Sequence, residues 1–150
     1  GLPVELPLPV HSQLENPAMP VTKGIKQLIA EAEAATHGIK PDDAVARLSD
    51  ENTVFVDLRD VRELERDGMI PGAFHAPRGM LEFWVDPESP YFKPVFGEDK
   101  TFIIHCASGW RSLLATQILQ RMGLKPVLNL KGGFGAWKEA GGAIEQVEKS

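Results

Sequence analysis

The stretch FIIHCASGWRSLLA, residues 102–115, sets the only cysteine of the chain between a run of branched apolar residues and a run with helical spacing. A strand, Cys106, a short loop, Arg111 and a helix follow one another in that order. The first turn of such a helix carries unpaired N–H groups and the positive end of the helix dipole, and Arg111 adds a full charge. A thiol that ionises near pH ~8.5 in water is more readily a thiolate in that setting, so Cys106 reads as a reactive nucleophile. Gly109 lets the backbone turn its amides inward, Ala107 and Ser108 leave room for an anion, and Trp110 is expected to wall the pocket. The competing reading makes Cys106 a small buried hydrophobe. Its place at a strand end, with Gly109 and Arg111 behind it, favours the nucleophile. His105 is its neighbour on a strand, and successive strand residues face opposite ways, so His105 is assigned to structure and not to a base for Cys106. His37 and His75 show no metal-ligand spacing, and one cysteine makes a zinc site a poor fit. No metal or organic cofactor is implied.

The elements that must position the sulfur follow from period and punctuation. Thr53–Val56 and Thr101–His105 are short β-branched runs that fit buried strands, and Pro126–Leu130 reads as another strand. Thr22 offers a cap to a helix with Ile25, Leu28, Ile29 and Ala32 on one face, running to near Gly38. Pro41 suits the first position of a second helix, with Asp42 and Asp43 at its positive end. Val61 and Leu64 share a helix that stops at Gly68. A brief strand in IPGAFHAP and a helical turn in MLEFWV precede a long loop, Asp86 to Lys100. Ser112–Met122 reads as a helix with Leu114, Ile118 and Met122 on one face, ended by Gly123. A short helix lies in GGFGAWKEAGG. Strands alternating with helices predict an α/β fold, a central parallel sheet with helices on both faces. Residues 1–20, with prolines at 3, 7, 9, 17 and 20, read as an extended arm before one domain over 21–150.

Composition excludes several classes. The 150 residues suffice for one core, and a lone cysteine cannot form an internal disulfide. A net charge of −5 without a basic stripe argues against nucleic acid as a partner. No apolar run approaches the roughly 20 residues of a membrane span. The chain is therefore expected to be soluble and cytoplasmic; its start at Gly1 leaves a removed targeting segment open.

Three stretches resemble the rhodanese family, sulfurtransferases that pass sulfane sulfur through a cysteine persulfide. VDLRDVRELERDGMIPGAFHAP resembles the amino-terminal signature, CASGWRS the active-site loop, and LKGGFGAW the carboxyl-terminal element. Met69 stands where the family usually has histidine. Glu63 stands at the spacing where two-domain members place an arginine that serves thiosulfate. The resemblance implies a rhodanese-like fold, Cys106 as the persulfide-forming nucleophile, and a cradle of backbone amides from Ala107 to Arg111. Arg111 would hold the loop and the donor's charge, and Asp57 with Arg59 would form a structural pair. Arg78, Glu82, Phe83 and Trp84 are candidates for one side of the pocket, with Arg78 a substrate-binding residue. Gly132, Gly133 and Trp137 are read as turn and packing residues.

The resulting expectation is a sulfurtransferase moving sulfur from a small anion such as thiosulfate to cyanide, a thiol or a protein acceptor. Two rivals stand beside it: a carrier or regulatory module of the same family without efficient turnover, and a phosphatase or arsenate reductase of the same fold. The second uses a Cys-x5-Arg loop, whereas only four residues separate Cys106 from Arg111.

Overall fold

Successive strand residues join opposite apolar clusters, and that alternation accounts for the layers. In β4 (Thr101–His105), Phe102 and Ile104 join one apolar cluster and Ile103 the other. In β2 (Thr53–Asp57), Val56 and Phe55 divide in the same way. Each strand therefore feeds two cores, as a sheet covered on both faces requires. The structure, a computed structural model, describes residues 20–149. The proline-rich arm, apart from Pro20, lies outside them.

The elements run in the order α1 (Ile25–Ala35), β1 (Gly38–Ile39), α2 (Pro41–Val45), β2, α3 (Val61–Asp67), β3 (Phe74–His75), α4 (Leu81–Val85), β4, α5 (Trp110–Arg121), β5 (Val127–Leu130) and α6 (Gly133–Glu139). The five strands form one sheet in the order β1-β5-β4-β2-β3, and every neighbouring pair is parallel. Leu81 and Val85 of α4 and Ala115 and Leu119 of α5 cover one face with Phe96. Ala44 of α2, Phe134 and Trp137 of α6, and Ile70 cover the other. The doubly covered parallel sheet expected from the sequence is the fold observed.

Local differences have physical reasons. Gly24, not Thr22, occupies the N-cap of α1, with no side-chain cap bond, and the helix ends at Ala35. Gly38 and Ile39 leave the helix because they pair with Asn129 and Leu130 of β5. On α1 only Ala32 is fully buried, while Ile25 and Leu28 stay exposed. Helix α5 begins at Trp110, two positions earlier than the sequence suggests, and buries Leu113, Ala115 and Leu119 in place of the stripe through Met122. The segment 86–100 is pinned: Pro94–Gly97 forms a 3-10 turn, and buried Phe96 stacks on Phe102 at 5.8 Å and meets Phe74 edge-on at 5.6 Å. Gly68 ends α3 at φ 82°, as its type foretold.

Candidate active site

Parallel strands deliver their carboxyl ends to one edge of the sheet, where open α/β folds bind ligands. At that edge β4 ends in His105, and Cys106 opens the loop into α5. The loop folds back over the sulfur because Gly109 adopts φ 103°, in the left-handed region. That turn aims N–H groups inward: Gly109 N–H donates to Cys106 Sγ at 3.2 Å and Ser112 N–H at 3.4 Å, with Ser112 Oγ also 3.4 Å away. Cys106 is only 1% exposed, yet it belongs to neither apolar cluster. Its cover is its own loop. Burial alone would push the thiol pKa up, but the bond that the Ser112 hydroxyl can turn to an ionised sulfur, with the N–H groups of Ser112, Gly109 and Ser108, outweighs it and draws the value below the ordinary one.

A second segment supports the loop from beneath. Phe134 N–H donates to Cys106 O at 2.8 Å and Gly135 N–H to Ala107 O at 3.1 Å. A Cβ on Gly133 would stand 2.6 Å from Cys106 O, so only glycine lets the start of α6 come this close.

Arg111 does not stand free over the sulfur. Its guanidinium makes two bonds of 3.0 Å to Glu63 on α3. The Arg111 bonds, against an opposing contribution from burial, hold the Glu63 carboxyl below the usual range, and Asp60 N–H adds to the effect. Glu63 also accepts from Asp60 N–H at 3.0 Å in a capping box, so one carboxylate both starts α3 and anchors α5. Arg111 is raised by Glu63 first, and by the Cys106 sulfur among lesser contributors.

Residues 40–140 match the family model of the rhodanese-like domain. The chain belongs to the rhodanese-like family. A sulfurtransferase of Allochromatium vinosum is 35% identical over 63% of this chain and 81% of its own length. The human thiosulfate:glutathione sulfurtransferase is 32% identical over 55% of this chain and 78% of its own. A solved Rhodopseudomonas palustris protein of unknown function, described as a possible tyrosine phosphatase, is 48% identical with TM-score 0.81, across 97% of this chain and all of its own. Rhodanese relatives at modest identity support sulfur transfer as the general activity.

The rhodanese loop thus brings Cys106, Ser108, Gly109 and Arg111 together. Ala107 contributes its carbonyl to the Gly135 contact. Trp110 is 65% exposed and lines a cavity of about 370 Å³ with Ser108, Gly109, Leu113, Asn129 and Lys131. Arg78 does not line that cavity; its Nη1 bonds Glu82 Oε1 at 2.9 Å. Phe83 and Tyr91 form an exposed edge-to-face pair, and Trp84 packs on Phe74.

Asp57 and Arg59 form the buried pair that the rhodanese signature implies. Arg59 grips both Asp57 oxygens at 2.8–3.2 Å, donates to Gly68 O at 2.8 Å and lies 4.2 Å above the Phe134 ring. His105 Nε2 stands 3.2 Å from Asp57 Oδ2, at ion-pair distance but out of hydrogen-bond alignment. Burial alone would push the Asp57 carboxyl up; His105 and Arg59 outweigh it and hold the carboxyl far below the usual range.

Two participants escape the sequence reading. Ser112 lies one residue past the expected amide cradle yet places a hydroxyl beside the sulfur and donates its N–H to it. Asn129, on β5, accepts from Ser112 Oγ at 2.6 Å. The only sequence signal for it is a polar residue inside an otherwise apolar strand run, VLNL.

Proposed function

We propose that the protein moves sulfane sulfur through a persulfide on Cys106. The thiolate attacks the outer sulfur of a donor such as thiosulfate; the donor's S–S bond breaks and its electron pair leaves on sulfite. A nucleophilic acceptor, cyanide or a thiolate, then attacks the outer sulfur of the persulfide, and the Cys106 S–S pair returns to Sγ. The outer sulfur stands about 2 Å beyond Sγ, so the acceptor meets an atom outside the covered one. The observation that carries this reading is the pair of main-chain N–H groups, Gly109 and Ser112, aimed at Sγ. Fixed donors of this kind stabilise a sulfur anion without reorganising. Ala107, Ser108, Trp110 and Arg111 complete the substrate cradle in this proposal, and Arg78, outside the cavity lining and bonded to Glu82, is assigned a donor contact on the family resemblance. No cofactor takes part.

The test is intact-mass measurement after incubation with thiosulfate. A gain of one sulfur atom that cyanide removes, and that Cys106→Ala never acquires, is the expected result. No adduct on the wild-type chain, or an adduct that survives in Cys106→Ala, overturns the proposal. Loading without turnover to cyanide or thiols would mark a carrier.

The description of the Rhodopseudomonas neighbour favours a second reading, phosphate-ester hydrolysis. The loop weighs against it, since four residues between Cys106 and Arg111 make a narrower ring than Cys-x5-Arg. Aryl phosphate turnover that disappears in Cys106→Ser would reverse the order of the two readings.

A further inference from the structure

The Cys106 sulfur, the Ser112 hydroxyl and the Asn129 amide form a line with too few protons to serve every partner at once. Asn129 is 5% exposed, and its amide spans the loop: Nδ2 donates to Gly109 O at 3.4 Å, and Oδ1 lies 2.6 Å from Ser112 Oγ. The Gly109 carbonyl only accepts, so it takes the Nδ2 end and leaves Oδ1 for Ser112. A serine hydroxyl has one proton. The short contact with Oδ1 shows where that proton goes, and the oxygen's lone pairs then face Sγ at 3.4 Å. A neutral thiol suits this arrangement, because its S–H donates to Ser112 Oγ. A thiolate does not.

We propose that Asn129 is a positioning residue that withholds the Ser112 hydroxyl from Cys106 and thereby sets how readily the nucleophile ionises. The inference rests on the persulfide reading, in which the thiolate is the attacking form. Ionisation is then coupled to a hydroxyl turn. The S–H proton leaves to solvent, the Ser112 proton stays on its own oxygen but changes partner from Oδ1 to Sγ, and no other bond changes. Asn129 Oδ1 is left without its donor in a buried place, a cost that opposes the turn. The same Gly109 that gives its N–H to the sulfur fixes the orientation of Asn129 through its carbonyl. Loop geometry and thiol ionisation are therefore linked through one residue.

The charged groups near the sulfur are Arg111 and its partner Glu63, with Lys131 and Glu33 on the adjoining cavity; His105 turns its ring to Asp57. Arg111 and Glu63 keep their charges while the thiol titrates, so an alkylation profile reports Cys106, the only thiol. The experiment measures iodoacetamide reaction rate against pH, which needs no sulfur donor and is separable from failure of the persulfide reading. Asn129→Leu frees the hydroxyl and should lower the thiol midpoint by about one pH unit, or about tenfold more thiolate below it. Asn129→Asp keeps the size, holds the hydroxyl more strongly and should raise the midpoint. In a Ser112→Ala background, Asn129→Leu should shift nothing. An unchanged midpoint in Asn129→Leu, or the same shift with and without the Ser112 hydroxyl, overturns the proposal. Should Asn129→Leu not fold, Asn129→Ala measured in both backgrounds decides it by the same criterion.

Discussion

Two neighbouring strand ends bury polar groups at one edge of the sheet and use them differently. Asp57 closes β2 and His105 closes β4, paired in register, and Cys106 follows directly. Asp57 is met by a full cation, Arg59, which itself has a carbonyl and an aromatic face as partners. Cys106 is met by N–H groups and a hydroxyl, with the nearby cation tied to Glu63. A buried charge with an opposite charge is locked. A buried sulfur surrounded by dipoles gains help when it becomes an anion but is not neutralised, and that leaves it able to react.

The comparison is broken most severely at Arg59. Arg59→Met leaves Asp57 without its fork and should cost about 3–5 kcal/mol of stability. Cys106→Ala should cost less than about 1 kcal/mol, because the sulfur lies outside both apolar clusters. Urea unfolding midpoints of the two variants check the contrast, and equal losses would erase it. The same pair sets a pH dependence. Because the Asp57 carboxyl is held low in the folded chain, its contribution is complete above the unfolded carboxylate pKa of about 4 and is lost as pH falls below that value. Stability should therefore decline between about pH 4 and pH 2 in the wild type and more gently in Asp57→Asn.

A smaller change tests whether the second arginine belongs with the locked or the reactive region. Glu63→Gln weakens the hold on Arg111 at a partly exposed site, so the stability loss should stay below about 1 kcal/mol. The freed guanidinium should then strengthen thiosulfate binding severalfold, seen as a lower KM with kcat kept, an effect that fades as salt is added. A KM that stays fixed would make Arg111 a strut and nothing more.

How much of this contrast could be read in advance depended on the range of each interaction. Strands β2 and β4 declared themselves through contiguous β-branched and aromatic residues, and the loop through Cys106, Gly109 and Arg111 within six positions. Strand β1 has two residues, too few for any period, and exists only because β5 pairs with it. On α5 the spacing suggests the stripe of Leu114, Ile118 and Met122, and the structure buries Leu113, Ala115 and Leu119. The Leu113 side can be buried without penalty since its hydroxyls are satisfied, Ser112 by Asn129 and Thr116 by the Ser112 carbonyl at 2.7 Å. Glu63 and Arg111 are 48 positions apart, and Ser112 and Asn129 are 17. Such pairings are products of the sheet order and leave no local trace.

The smallest effect is expected at Arg78, whose assignment rests on the family resemblance and on its place before the pinned 86–100 segment. Its bond to Glu82 is an i,i+4 pair with both side chains about a third exposed, at 33% and 38%, a setting worth only about 0.3–0.5 kcal/mol. Arg78→Gln should therefore leave the unfolding midpoint nearly unchanged. If the guanidinium also meets the donor anion, KM for thiosulfate rises about twofold while kcat holds, since such a contact binds substrate and transition state alike. Arg78→Lys keeps the charge and should restore most of the affinity if attraction is all that is used, and little if the planar fork is needed. An unaltered KM in Arg78→Gln would leave the cradle to the Cys106 loop alone, and anion binding would then rest entirely on main-chain N–H groups.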